Sequence, residues 1–357
     1  MRSRTLFFLL ALAGILAPAQ WLTQRMPGIP RTADGKANLN ALTPRAADGR
    51  PDLSGPWTRL SPRYRHNIAA DLKPEDVPAW VQTLVKQRTE NLSKESMSAQ
   101  CLPAGPAYVT DADSNGGGMM KIVQTPSLIV ILNADLTYRQ VYLDRRALEP
   151  SPSPSYMGYS VGRWEADTLV VESFGFKDKT WLDENGHPHS EKLRTLERYR
   201  RPDFGHLDIQ MTIEDPEIYP KPWTVAVKAE FAADTELLEY VCNENDKGHE
   251  HWVGKDSDQK LSQVKVAPEI LSKYAGTYVE QPKFWRLKAR TAVITVSDGT
   301  LYGSLEGREK EEQYARSEKT FSGFSGLAIE FIKDERGEVT GLFVKHVSGD
   351  YRFARQN

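Results

Sequence analysis

The chain has 357 residues, of which 39% are hydrophobic and 26% charged, and its formal net charge is −2. That length accommodates two domains of ordinary size with real apolar cores. The near-neutral balance, with no basic patch interleaved with aromatics, argues against nucleic acid as a partner and against long-range attraction to anionic lipid.

At the N-terminus, Arg2 and Arg4 precede an apolar run from Leu6 to Leu16, followed by small Ala17 and Ala19 and polar Gln20. This is the layout of a secretory signal peptide over residues 1–19. The run falls short of the roughly 20 apolar residues a bilayer span needs, which disfavours an uncleaved anchor and stable membrane insertion after cleavage. The absence of a following Cys argues against a lipoprotein. A periplasmic or secreted protein is therefore expected. In such a compartment Cys101 and Cys242 are expected to pair, closing a long loop; the alternative is two buried free thiols.

Residues 20–56 are rich in Pro, Gly, Asp and Arg and lack apolar periodicity. They contain an echo, Pro30-Arg-Thr-Ala-Asp-Gly-Lys-Ala against Pro44-Arg-Ala-Ala-Asp-Gly-Arg-Pro, with turn dipeptides Asp34-Gly35 and Asp48-Gly49. Two copies do not make a solenoid. The stretch reads as an extended lead-in that wraps the first domain, with Trp57 as its apolar anchor. Pro74, the acidic pair Glu75 and Asp76, and apolar Val77, Trp80, Val81, Leu84 and Val85 at three- and four-residue steps predict one amphipathic helix over 74–92.

From Lys121 the apolar period changes to two. Runs at 122–132, 138–143, 168–174, 193–199, 207–213, 223–231 and 237–241 are bounded by Asp, Gly, Pro or Asn. With no helices between them, they predict a mainly β fold, an antiparallel barrel or sandwich domain over 57–258. Glu165-Ala-Asp167 reads as a hairpin turn. After a polar linker at 259–269, a second and smaller β unit over 266–357 runs through 271–278, 293–296, a turn at Asp298-Gly299, then 301–305, 328–332, 339–344 and 351–354.

The last quarter resembles the small lipocalin-like β-barrel domain at the C-terminus of secreted β-lactamase-like hydrolases. The likeness rests on Tyr274-Ala-Gly-Thr-Tyr278, Asp298-Gly-Thr-Leu-Tyr302 and the segment from Ile329 to Leu342. It implies a fold and carries no catalytic residue: Ser257-Asp-Gln-Lys260 and Ser262-Gln-Val-Lys265 fall in or beside the polar linker, and no Lys-Thr-Gly follows. Residues 100–255, with Gly158-Tyr-Ser-Val-Gly-Arg-Trp-Glu-Ala-Asp-Thr-Leu-Val-Val171 and Thr180-Trp-Leu-Asp-Glu-Asn-Gly-His-Pro-His-Ser-Glu191, resemble an acidobacterial-type family of secreted, β-rich proteins with no mechanism attached to the motif. Ala166 stands where that pattern has Gly, and Lys177 where it has Asn.

The same stretch holds the candidate chemistry. His187 and His189, two apart, would share one face of a strand and, with His251 of a second His-x-His pair at His249, could hold a divalent metal. Gly186 and Pro188 argue instead for a turn. Without a metal, His187 and His189 are candidate acid–base groups, with Asp183 and Glu191 as orienting carboxylates. Trp181, Tyr159, Trp164 and Tyr199 would wall a pocket, and Arg198 would bind a ligand carboxylate, unless the aromatics fill the core and the Glu197-to-Arg201 run is an outward face. Ser160 and Ser190 lack a nucleophile-elbow context; His66, His206 and His346 are secondary candidates. Two readings follow: an exported enzyme of lyase, hydrolase or isomerase type acting on a small molecule, or a non-catalytic periplasmic binder of an apolar or glycan ligand.

Overall fold

The computed structural model describes residues 25–60, 63–110, 118–147, 153–242, 263–281, 289–305, 310–323, 327–345 and 351–356. The leader, His249, His251, His346 and the Ser257–Lys260 motif lie outside the described residues, as does Ser262.

The described strands form two closed barrels. The first comprises β1 (Gly55–Arg59), β2 (Met119–Gln124), β3 (Leu128–Asn133), β4 (Tyr138–Tyr142), β5 (Tyr159–Glu165), β6 (Thr168–Phe174), β7 (Arg194–Arg200), β8 (His206–Glu214) and β9 (Trp223–Phe231). Alternating burial fills its interior, seen best in β8 and β9, where Leu207, Ile209, Met211, Ile213, Trp223, Val225, Val227, Ala229 and Phe231 all point inward. Closure by β1 against β9 removes the sheet edges.

The sheet is not wholly antiparallel. An odd number of strands wound in chain order cannot close with antiparallel neighbours throughout, and the exception is β4 beside β5, which pair in parallel at Val141–Ser160 and Tyr142–Val161. The connection between them therefore crosses from one end of the barrel to the other. The apolar run at 122–132 is two strands rather than one, broken where the Thr125 hydroxyl accepts from the Leu128 amide and donates to the Leu128 carbonyl. The run at 237–241 is not a strand; Leu238 packs with Met119, Ala134 and Ala232. The hairpin turn falls at Ala166 and Asp167, with Glu165 paired to Thr168.

The lead-in echo is a structural duplication. In each copy a loop is closed by paired backbone bonds, Asn38 to Pro30 and Asp52 to Pro44, and by a tight turn ending at Gly35 or Gly49. Arg31 and the equivalent Arg45 each reach a carboxylate at one end of the barrel: Arg31 binds Asp234 beyond β9 at 2.5 Å, and Arg45 binds Asp167 in the β5–β6 turn at 2.6 Å. Trp57 is fully buried, edge-on to Phe231 at 5.3 Å.

At the other end, the long connection from β1 to β2 contributes α1 (Arg63–His66), a 3-10 turn Pro74–Asp76, α2 (Ala79–Glu90) and a second 3-10 turn Gly105–Val109. The helix expected over 74–92 thus starts later, because Pro78 cannot donate and takes the N-cap. Its apolar face is narrower than the spacing implied: Val81 is buried, whereas Trp80 is 52% exposed. Cys101 and Cys242 form a disulfide, and none of the described helices is long and apolar enough to cross a membrane.

The second barrel is an all-antiparallel meander: β10 (Gly276–Glu280), β11 (Thr291–Ser297), β12 (Thr300–Leu305), β13 (Glu311–Ala315), β14 (Thr320–Gly323), β15 (Leu327–Lys333), β16 (Val339–Lys345) and β17 (Tyr351–Arg355), which closes on β10. β13 and β14 have no counterpart among the expected runs, since they are short and set polar Gln313 and Ser322 at buried positions beside Glu311, Glu312 and Thr320. The linker ends in α3 (Pro268–Tyr274), whose Tyr274 stacks on Phe331 with centroids 4.0 Å apart and ring planes 11° from parallel.

Candidate functional site

The Thr180–Glu191 segment crowns the end of the first barrel that carries α1 and α2. It is coil, so the two imidazoles do not share a strand face. Asp183 is buried and gathers the turn: its Oδ1 accepts from the Gly186 and His187 amides at 2.9 and 3.1 Å. Its Oδ2 accepts from the Ile68 amide at 2.7 Å and lies 2.6 Å from Nδ1 of His187. A carboxylate can only accept here, so Nδ1 carries the proton and Nε2 is the nitrogen left for exchange. The His187 side chain is 7% exposed. Gly186 sits at φ +94°, and a Cβ there would meet the Arg88 side chain at 2.4 Å, so glycine is demanded twice over. Arg88 from α2 donates to the Gly186 carbonyl and lies over the Trp181 ring at 4.4 Å.

His189 faces a different set of partners. Nδ1 lies 2.9 Å from the Ser190 carbonyl and Nε2 2.6 Å from the Thr180 hydroxyl. The carbonyl can only accept, so Nδ1 donates and Nε2 accepts from Thr180 in the neutral ring. Burial pushes its pKa below the ordinary imidazole value of 6.5, against the weaker opposing pull of the Ser190 carbonyl and Asp215. Asp215 holds the segment's far end, accepting from the Ser190 amide at 2.6 Å and hydroxyl at 2.8 Å. Glu191, expected to orient a ring, is exposed, and Asp215 takes the anchoring position instead. Metal ligation through His187 and His189 is not supported by this geometry. The rings address separate partners, and among the described residues no three His, Cys, Asp or Glu side chains converge.

The expected aromatic wall does not form. Trp181 is buried beneath Arg88, while Tyr159 is 42% exposed and donates to the Ser153 carbonyl. Trp164 lies at the far end of β5, about 16 Å along the strand from Tyr159 at ~3.3 Å per residue, near Arg50. Arg198 is on the outer face, paired with Glu165 at 2.9 Å. Glu184 holds Arg65 and approaches His66 at 3.4 Å. His206 bonds Asp203 at 2.7 Å, and Asp203 also accepts from the Gly205 and His206 amides. Among the described residues an Asp closing a turn onto a following Gly-His thus occurs at Asp183 and at Asp203, and of these two the copy at Asp183 and His187 is the buried one.

One cluster has no counterpart in the sequence expectations. The Glu197-to-Arg201 run was expected to face outward; alternation instead turns Glu197 and Tyr199 into the barrel and Arg198 and Arg200 out. Glu197, fully buried, accepts from Arg139 at 2.8 and 3.0 Å, Tyr108 at 2.7 Å, Tyr199 at 2.6 Å and Thr195 at 3.2 Å. Arg139 also donates to Ser160 and Ser173. Burial and the adjacent Glu197 carboxylate drive the Tyr199 pKa well above 10, so its phenol stays a donor. The inward face of β7 carries Thr195, Glu197 and Tyr199 while its one aliphatic residue, Leu196, lies on the other face, which erases the inside–outside contrast that an apolar period depends on.

At the opposite barrel end, Met26, Ile29, Ile122, Val123, Phe204 and Phe231 line an apolar groove of about 330 Å³. No family model and no curated protein matches this chain.

Proposed function

We propose that the chain is an exported small-molecule enzyme in which His187, oriented by Asp183, transfers a proton through Nε2. The observation that carries this reading is the 2.6 Å contact between Asp183 Oδ2 and His187 Nδ1 in a buried turn. It fixes the tautomer and ring direction, as an acid–base imidazole requires, and leaves one nitrogen uncommitted. The reaction class that fits is proton transfer, as in elimination, isomerisation or hydrolysis. The leader-like N-terminus and the Cys101–Cys242 bond support an exported location.

The test is His187→Asn. The Asn amide retains a donor toward Asp183 and deletes Nε2. With wild-type protein and variant screened against a library of small esters, hydroxy acids and sugars, turnover lost in a variant that keeps its melting temperature supports the reading. Equal turnover by the two proteins assigns His187 to the turn alone.

A second reading, a non-catalytic binder, draws on the apolar groove beside Phe204 and Phe231, where the one titratable lining residue, Lys121, is already paired with Glu236. Such a groove suits an apolar ligand and offers no acid or base.

A further inference from the structure

We propose that the interior of the first barrel is a binding site for a small phenolic compound, that Tyr108 fills this site in the closed protein, and that the Cys101–Cys242 bond is the latch. This inference is independent of the Asp183–His187 reading.

Six members of the interior cluster belong to the barrel wall: Arg139 on β4, Ser160 on β5, Ser173 on β6, and Thr195, Glu197 and Tyr199 on β7. The seventh does not. Tyr108 comes from the 3-10 turn Gly105–Val109, part of the connection between β1 and β2. Its hydroxyl donates to Glu197 Oε2 at 2.7 Å and lies 3.1 Å from that of Tyr199, and its ring sits 4.7 Å from the Arg139 guanidinium. The wall thus recognises a phenol by three features: a carboxylate for the hydroxyl, a second phenol beside it and a cation over the ring face.

Withdrawal of Tyr108 would not strand a charge. Glu197 would keep both Arg139 bonds, Tyr199 and Thr195, so departure costs one hydrogen bond and the burial of the Tyr108 ring and Val109 rather than an unpaired buried ion. The wall is a self-sufficient site and the turn a replaceable occupant. Besides the burial of Tyr108 and Val109 in the barrel core, two contacts fix the start of the turn: Gly105 packs against Thr180 so closely that a Cβ would lie 2.7 Å from it, and Cys101, four residues earlier, is bonded to Cys242 beyond β9. Reduction by a dithiol, which delivers two electrons and two protons and itself becomes a disulfide, yields two thiols and frees that end of the turn.

The probe is p-cresol, with toluene as the control that lacks the hydroxyl. Hydrogen exchange and calorimetry are run on the oxidised protein, the dithiothreitol-reduced protein and oxidised Tyr108→Phe. Because the occupied site taxes apparent affinity, weakening the occupant must raise it. The expected result is that p-cresol binds Tyr108→Phe about tenfold more tightly than oxidised wild type, the low end of what a hydrogen bond to a charged group contributes. It should also speed exchange over residues 102–110 while β5 to β8 stay protected, with a larger effect after reduction. Toluene, which lacks the hydroxyl that Glu197 would accept from, should bind each of the three forms more weakly than p-cresol does. Unchanged exchange over 102–110 in every form, or equal p-cresol affinity for Tyr108→Phe and wild type, overturns the proposal. If reduction unfolds the barrel, the Tyr108→Phe comparison alone decides.

Discussion

The Thr180 hydroxyl and His189 Nε2 lie 2.6 Å apart inside the crowning turn, with the Lys177 carbonyl 2.8 Å from the same hydroxyl. Thr180 can therefore donate to a neutral His189, or turn to Lys177 and accept from a protonated one. The geometry tolerates both states; burial favours the neutral one.

This fixes a pH dependence. The folded-state pKa of His189 lies below its unfolded value near 6.5, so in acid the unfolded chain binds the proton that the folded chain refuses. The stability contributed by neutral His189 is fully present above that value. It falls as pH drops below it, with a limiting slope of about 1.4 kcal/mol per pH unit, until the folded-state pKa is reached. Urea unfolding between neutral and mildly acidic pH should show this slope, and His189→Gln should lack it. Identical profiles for the two proteins would mean that another group controls acid sensitivity.

Glu197 and Arg139 offer a sharper contrast. Glu197→Leu alone leaves the Arg139 guanidinium buried without its carboxylate, for a loss of about 3–5 kcal/mol. The double variant with Arg139→Met removes both charges and should recover most of that loss, since a buried pair is often replaceable by apolar side chains. Chemical denaturation of the singles and the double measures the coupling. A double variant no better than the single would place the cost in the serine and tyrosine contacts.

Ala166 adopts φ +50° in the β5–β6 turn, the left-handed region where a Cβ is costly. Ala166→Gly should therefore stabilise the protein by about 0.5–1 kcal/mol, the relief of strain exceeding the entropy glycine adds to the unfolded chain. A lower melting temperature for the glycine variant would contradict the assignment of strain.

The Cys101–Cys242 bond joins residues 141 apart in sequence. Replacing both by Ser should cost on the order of 4–5 kcal/mol if restriction of the unfolded chain is the main effect. Guanidinium unfolding of the double Ser variant against the oxidised wild type reads this directly, and a loss below about 1 kcal/mol would show that the unfolded chain is compact without the bond.

The legible parts of the fold are those where apolar and polar residues alternate against a wet outer face. β9 has the bounds its alternation marks, and the Asp298-Gly299 turn falls where two adjacent positive φ angles, +51° and +73°, are needed. The run at 122–132 misled because Thr125-Pro-Ser127 is too short a break to interrupt an apolar average. Trp80 misled because helical spacing cannot say how wide a neighbour lies beneath it. Within the candidate site, the pairing of Asp183 with His187 follows from proximity in sequence, whereas Asp215, Ile68 and Arg88 arrive from other parts of the chain.

By itself the sequence determined the β-rich character, the leader-like start, the two cysteines and the duplicated Asp-Gly loops, because local periodicity and turn chemistry act over a few residues. Tertiary structure alone decided that β4 and β5 run parallel, that Glu197 faces inward to meet Arg139, and that Tyr108 enters the barrel. Those outcomes depend on barrel closure, which sets direction and facing through contacts between residues tens of positions apart.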